Sequence, residues 1–248
     1  MGELIKRLRF FRFIIFGVLY KLSKNNIPEI KEKFKGLKDI IIVCNGPSLN
    51  RVDLDNLRYP CIGMNKIDMI FEKTSWRPDL IVVNNGLVIK QNKEFFNSTG
   101  IPVVADIKGK ILGLKTRYFF LPDFRRRFSV DFDKYVGSAG TVTYTALQLA
   151  FYIGVERVHI IGMDHNYNTF NSEKSTSSIQ KFDGEDVNHF DPNYFKGKLW
   201  GTPNLFISEL GYRLADDEFR KRGMKIVDRT IQGKCNIFEK GRIEDLYN

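Results

Sequence analysis

Cysteine is scarce in this sequence: Cys44, Cys61 and Cys235 are the only three in 248 residues. The count is odd and the spacings match no metal-ligand pattern. A disulfide framework is therefore not the basis of the fold, and a reducing compartment is expected. Histidine is as rare, at three, and no Cys-x-x-Cys pair accompanies it, which argues against a zinc site. A spanning helix needs about 20 apolar residues in a row. The most apolar run, 10–20, is too short for that and is broken by Arg12 and Gly17. No small-x-small cleavage site follows it, so it does not read as a secretory signal. Gly-x-Gly-x-x-Gly is missing after the first strand-like run, and Gly-Lys-Ser/Thr is missing altogether. Dinucleotide-dependent hydride transfer and P-loop NTPase chemistry are thereby disfavoured. Acidic residues are in deficit, 29 against 39 Lys and Arg, for a net charge of +10. Such an excess suits a polyanionic partner (nucleic acid, anionic lipid or a phosphorylated substrate), with an ordinary basic surface as the plainer reading. No nucleic-acid recognition motif is present, and no nucleic-acid partner is expected.

What is present is 43% hydrophobic and 13% aromatic sequence, enough to bury one sizeable core with a small appendage. Residues 1–24 form that appendage. Segment 3–24, ELIKRLRFFRFIIFGVLYKLSK, sets Lys6, Arg7, Arg9 and Arg12 before its apolar run and Lys21 and Lys24 after it. This is the pattern of an amphipathic helix in a membrane interface, with Phe and Leu inserted and Lys/Arg at anionic headgroups. A helix packed on the protein's own core is the competing reading. Residues 25–38, polar and containing Pro28, read as a linker to a domain spanning 39–248.

That domain opens with DIIIVC at 39–44, a short, β-branched, almost wholly apolar run, as expected for a strand buried on both faces of a parallel sheet. Further strands are expected at 60–64, 80–83, 101–104, 118–121, 158–161 and 225–227. Helices are expected at 141–153, ended by Gly154, and at 208–222, ended by Gly223. The alternation implies a doubly wound (Rossmann-like), mostly parallel α/β sheet, whose strands end along one ligand-binding edge. Just past those strand ends lie Asn45, Gly46, Pro47 and Ser48, then Asn65, then Asn84 and Asn85. Gly137-Ser138-Ala139-Gly140-Thr141 precedes the first helix, and Gly162-Met163-Asp164-His165-Asn166-Tyr167 follows the later strand. Amides and hydroxyls suit a nucleotide's sugar, base and phosphate, and free backbone N–H groups at a helix start suit an anion. One such loop is explained by turn chemistry alone; five on one edge indicate a site.

The run Ile41-Ile42-Val43-Cys44-Asn45-Gly46-Pro47-Ser48-Leu49, with Asn65 and Asn84, resembles the opening loops of the bacterial sialyltransferases of glycosyltransferase family 42. It is equally similar to the archaeal 6-hydroxymethylpterin diphosphokinase-like (DUF115) group. Gly162–Tyr167 resembles the sialyltransferases' Gly-Ile-Asp-Phe-Tyr, whereas 137–167 with 188–195 looks closer to the diphosphokinase-like group. The likeness covers about residues 39–230. The sialyltransferase resemblance implies transfer of an acidic sugar, such as sialic acid, from a CMP-activated donor to a cell-surface glycan or glycolipid. Asn45, Gly46, Pro47, Ser48, Asn65 and Asn84 would hold the nucleotide and donor. Ser138, Gly140 and Thr141 would hold its carboxylate or phosphate. Tyr167 and Tyr194 would assist the leaving phosphate, and His189 would be the base. No resident metal or tightly bound cofactor is implied. The diphosphokinase resemblance implies ATP, with Asp164 on Mg²⁺.

The chemistry of the residues agrees with these roles. Transfer to a hydroxyl needs a base near neutrality and a means of stabilising the departing phosphate. Asp186 and Asp191 flank His189 and are placed to orient it. His165, at a strand end, is a ligand candidate; His159, inside an apolar run, reads as packed. Asp164 is read as a metal ligand, a loop tie or a turn residue. The polar stretch 168–188 and the aromatic, basic stretch 190–200 together read as a lid, about 168–200, that excludes water. Arg125-Arg126-Arg127 reads as a solvated basic loop. The overall expectation is a cytoplasmic transferase peripheral on the inner face of the membrane, with oligomeric state left open. A non-catalytic nucleotide- or glycan-binding module is the third reading.

Overall fold

The computed structural model describes residues 14–23, 25–167, 179–181 and 184–248. The first 13 residues, Lys24, most of the polar part of the expected lid (168–178) and 182–183 lie outside that range. The strands are β1 (Asp39–Val43), β2 (Cys61–Met64), β3 (Leu80–Val83), β4 (Val103–Asp106), β5 (Tyr118–Phe120), β6 (Pro122–Asp123), β7 (Val136–Gly137), β8 (Arg157–Ile161), β9 (Ile179–Lys181), β10 (Leu199–Gly201), β11 (Lys225–Asp228) and β12 (Glu239–Lys240). Eight of them form one sheet in the order β12-β11-β8-β1-β2-β3-β4-β5. Every adjacent pair in it is parallel. The doubly wound expectation is met, and the chain reverses its direction of travel across the sheet at the junction of β1 and β8.

Both faces of this sheet are covered, which is why its strands are apolar without alternation. On one face Ile40, Ile42, Ile62 and Val158 meet the helices α2 (Ile27–Lys33), α6 (Val142–Ile153) and α7 (Leu205–Lys221). On the other, Ile41, Val43, Ile81 and Ala105 meet α1 (14–22), α3 (Gly86–Gln91), α4 (Lys93–Ser98) and the C-terminal turn. α5 (Lys108–Ile111) follows β4. α6 is buried at eleven of its twelve positions, so its sequence is apolar around nearly the whole circumference. The Thr141 side chain caps its start by accepting from the Thr143 N–H, and Gly154 ends it in the left-handed region (φ 92°).

The stretch 25–38 is not a linker. It carries α2, whose Ile27 and Ile30 are completely buried. The Asn25 side chain accepts from the Phe119 N–H, and the Asn26 N–H donates to Arg117 O, fastening the segment along β5. The described part of the N-terminal helix, α1, packs on the protein's own core along one side. Phe16 is buried, Leu19 and Tyr20 pack against the same cluster, and the Tyr20 hydroxyl donates to Asp133 O. Its other side is open. Among the described residues no helix is long and apolar enough to cross a membrane.

His159 is a packed strand residue, as expected. Its Nδ1 accepts from the Arg229 guanidinium at 2.9 Å, so Nε2 carries the proton and donates to Asp39 at 2.9 Å. Tyr59 stacks on the ring. Burial first, with the Arg229 charge adding, holds the imidazole below its ordinary 6.5, against the opposing bond to Asp39. A depressed histidine is neutral in the fold while the unfolded chain takes up a proton. Its contribution to stability is therefore complete above pH 6.5 and is lost as pH falls below it. The stability advantage of the wild type over His159→Gln is expected to shrink between pH 7 and pH 5. A pH-independent difference in melting temperature would contradict the neutral assignment.

Candidate functional site

A cleft of about 750 Å³ lies across the C-terminal ends of β1, β2, β3 and β8 and the start of α6, where the strand order reverses and ligands of such sheets bind. Its floor is built by the loop after β1. The Cys44 N–H continues the ladder to Ile161 O, and the Gly46 N–H donates to Gly162 O. The approach is so close that a Cβ on Gly46 would collide with the Asp164 carboxylate and lie 2.6 Å from Gly162 O. Ser48 faces the same carboxylate: its N–H donates at 3.0 Å and its hydroxyl at 2.7 Å. Asp164 thus ties the two loops that flank the switch point.

The amides come together as expected. Asn45 is buried; its Nδ2 donates to Met64 O, leaving its Oδ1 without a partner among the described residues. Asn65 sits in the left-handed region (φ 52°), which asparagine tolerates, and its Oδ1 is likewise buried and unpartnered. Asn84 donates to Thr145 of α6 at 2.9 Å, and Asn85 caps α3. Buried acceptors left open at a cleft wall are costly unless a ligand or water donates to them. Gly140, Thr141, Asp164, His165 and Tyr167 also line the cleft. His165 bonds Glu209 through Nε2 at 3.0 Å. Burial pushes the Tyr167 phenol up to about 12.

His189 lies on the opposite wall. Its Nδ1 meets Asp186 Oδ2 at 2.8 Å, and no described protein group bonds its Nε2. Asp186 is buried, so the imidazole is held through Nδ1 by a fixed carboxylate, and Nε2 has no partner among the described residues. The ring lies flat on Tyr194, with centroids 4.1 Å apart and planes 5° apart. The segment is held to the floor by the Phe190 N–H donating to Asn45 O and by Asn50 Nδ2 donating to Phe190 O. Beneath it lies Lys66, which no sequence pattern indicated. It is 1% exposed; its Nζ donates to Tyr194 O at 2.5 Å and its backbone N–H to the Tyr194 hydroxyl. Burial, reinforced by the Lys198 charge, lowers the Lys66 ammonium to about 8.

Four expectations change. Pro47, Ser48 and Ser138 are not part of the cleft lining: Ser48 is consumed by Asp164, and Ser138 is exposed. Tyr194 touches the cleft, but its buried hydroxyl is bound beneath His189, so it supports the histidine rather than a leaving group. Of the expected lid, the described part pairs β9 with β10 antiparallel, and Ile179, Trp200, Gly201 and Thr202 wall the cleft. Tyr212 and Leu205 of α7 complete that wall; they lie in an ordinary amphipathic helix, so no local signal marks them. Two Asp-x-Asp triplets, at 53–55 and 131–133, lie outside the cleft: Asp55 accepts from Thr74 and Ser75, and Asp133 from Tyr20. Among the described residues no group of three His, Cys, Asp or Glu side chains is placed to hold a metal. The carboxylate read as a Mg²⁺ ligand, Asp164, already has both oxygens bound by Ser48.

A family model described as 6-hydroxymethylpterin diphosphokinase MptE-like matches residues 15–170. No curated protein matches the chain in sequence. Among solved structures, the monofunctional alpha-2,3-sialyltransferase Cst-I from Campylobacter jejuni is similar, with a TM-score of 0.48 and 15% identity over 86% of this chain and 83% of its own.

Proposed function

The chain belongs to the 6-hydroxymethylpterin diphosphokinase MptE-like family, and from that premise we propose that it is a transferase that moves a group from a nucleotide-activated donor to a hydroxyl acceptor, with His189 as the base. The observation that carries this reading is the His189–Asp186 dyad with its free nitrogen beside a nucleotide-sized cleft. Asp186 fixes the proton on Nδ1 and supports the imidazolium that forms when Nε2 accepts the hydroxyl proton.

The donor proposed is a CMP-linked acidic sugar. The acceptor oxygen loses its proton to Nε2 and bonds to the anomeric carbon. The bond from that carbon to the phosphate oxygen breaks, and CMP departs with the electron pair. Tyr167 and the N-terminus of α6 at Gly140–Thr141, which line the cleft, would meet the departing charge. The composition of the walls supports a donor with one phosphate. Among the described lining residues the lysines are Lys90 and Lys108, and Lys108 is paired with Asp106 at 2.9 Å; the rest of the polar lining is chiefly amide and hydroxyl. A second reading, diphosphoryl transfer from ATP with Mg²⁺, rests on the description of the family itself.

The two separate by ligand-induced stabilisation, because a ligand bound only by the folded state raises its melting temperature. CMP at about 100 times its Kd, without metal, is expected to raise it by roughly 5–10 °C. Stabilisation by ATP only with Mg²⁺, and none by CMP, would replace the glycosyl reading with the diphosphoryl one.

A further inference from the structure

We propose that α1 docks the molecule on an anionic phospholipid surface. This interaction does not depend on which reaction the cleft performs. Successive helical residues advance by about 100°, so Ile14, Ile15, Val18 and Leu22 fall within one sector of roughly 100° and Phe16 and Tyr20 fall outside it. The structure divides the helix in that way. Phe16 is buried, whereas Ile14, Ile15, Val18 and Leu22 are 45, 56, 54 and 74% exposed. A row of four large aliphatic side chains on one short helix is an unusual surface for a protein in water.

The row is rigidly presented. The Tyr20 hydroxyl donates to Asp133 O and accepts from Asn25 Nδ2, and Asn25 is in turn bound to the β5 backbone. The helix therefore cannot roll to hide the row without breaking these bonds.

The occupant follows from charge. Between Glu3 and Glu29 the sequence has six basic residues and no acidic one, and exposed Lys21 borders the apolar row. A second copy of the chain would bring the same positive segment against itself, whereas an anionic bilayer offers an apolar layer beneath negative headgroups. Asn25, just past the helix, ties it to the edge strand β5, and none of its described residues lines the cleft at the β1–β8 junction, so docking through the row leaves the cleft uncovered.

Flotation of the full chain with vesicles tests this. Binding is expected to phosphatidylcholine vesicles containing about a quarter phosphatidylglycerol, to be much weaker to pure phosphatidylcholine, and to be reversed by molar salt. Val18→Asp/Leu22→Asp is expected to reduce partitioning at least about thirty-fold with an unchanged melting temperature, since both positions are exposed. Leu22→Asp alone serves if the double variant is unstable. Phe206→Asp, which removes a 68% exposed phenylalanine on α7, is expected to bind as the wild type does. Absence of binding, equal binding to neutral vesicles or undiminished binding by the variants would overturn the proposal. So would light scattering that shows a dimer dissolved by the same substitutions, which would assign the row to a second copy.

Discussion

Replacing His189 with alanine is expected to lower turnover by about 10²–10⁴-fold while donor affinity stays within about two-fold. The asymmetry follows from where the histidine sits. The amides that would hold the donor come from the ends of β1, β2 and β3, whereas His189 belongs to a separate segment and contributes its free Nε2. Asp186→Asn tests the dyad in a second way. Asparagine keeps the size and the Oδ1 that accepts from the Asn188 N–H, but it removes the charge that holds the proton on Nδ1. Turnover is expected to fall by about 10–100-fold, because the imidazolium loses its counter-charge. An alanine or asparagine variant with wild-type turnover would remove His189 from the chemistry. Melting temperatures measured alongside separate lost catalysis from lost folding.

Gly46→Ala is expected to be strongly damaging to the cleft. The added carbon meets the Asp164 carboxylate on one side and Gly162 O on the other. The carboxylate cannot simply swing aside, because Ser48 holds it through both its N–H and its hydroxyl. A cost of about 2–4 kcal/mol is expected, which for a chain of this size is a drop of roughly 5–15 °C in melting temperature, together with loss of nucleotide binding. Gly86→Ala is the control: it also lines the cleft, but its new carbon would sit in ordinary contact, 3.6 Å from the Lys108 side chain, and stability is expected to be nearly unchanged. Adding Asp164→Ala to Gly46→Ala is expected to recover only part of the loss, since the backbone oxygen remains. A stable Gly46→Ala protein that binds nucleotide normally would show that the loop is not the tight junction described.

The sheet was readable from residues 39–44, 60–64 and 80–83 because two-sided burial leaves short β-branched runs that little else imitates. The observed strands fall within two residues of those runs. The ligand edge was readable for a related reason: in a parallel sheet every strand ends on the same side, so the residues after each run share a neighbourhood. Three features were not readable, each for a physical cause. α2 was hidden because only Ile27 and Ile30 carry its burial; Pro28, taken as a loop marker, stands instead in the first helical turn, where proline is tolerated. Ser48 and Asp164 each looked like ligand groups; that they bond each other depends on a pairing across 116 residues, which no local pattern encodes. Lys66 and Tyr194 form the base beneath His189, and a lysine beside a turn asparagine looks like surface until the fold closes over it.

The reversal of strand order at β1 also has a consequence for how the chain assembles. β1 to β5 add to one another in order of synthesis, each beside its predecessor, but the other neighbour of β1 is β8, and Asp39 meets His159 across 120 residues. Closing a loop of that size is slow compared with pairing adjacent strands. The cleft is bounded by both sides of that junction, so ligand affinity is expected to appear only once that long-range pairing has closed.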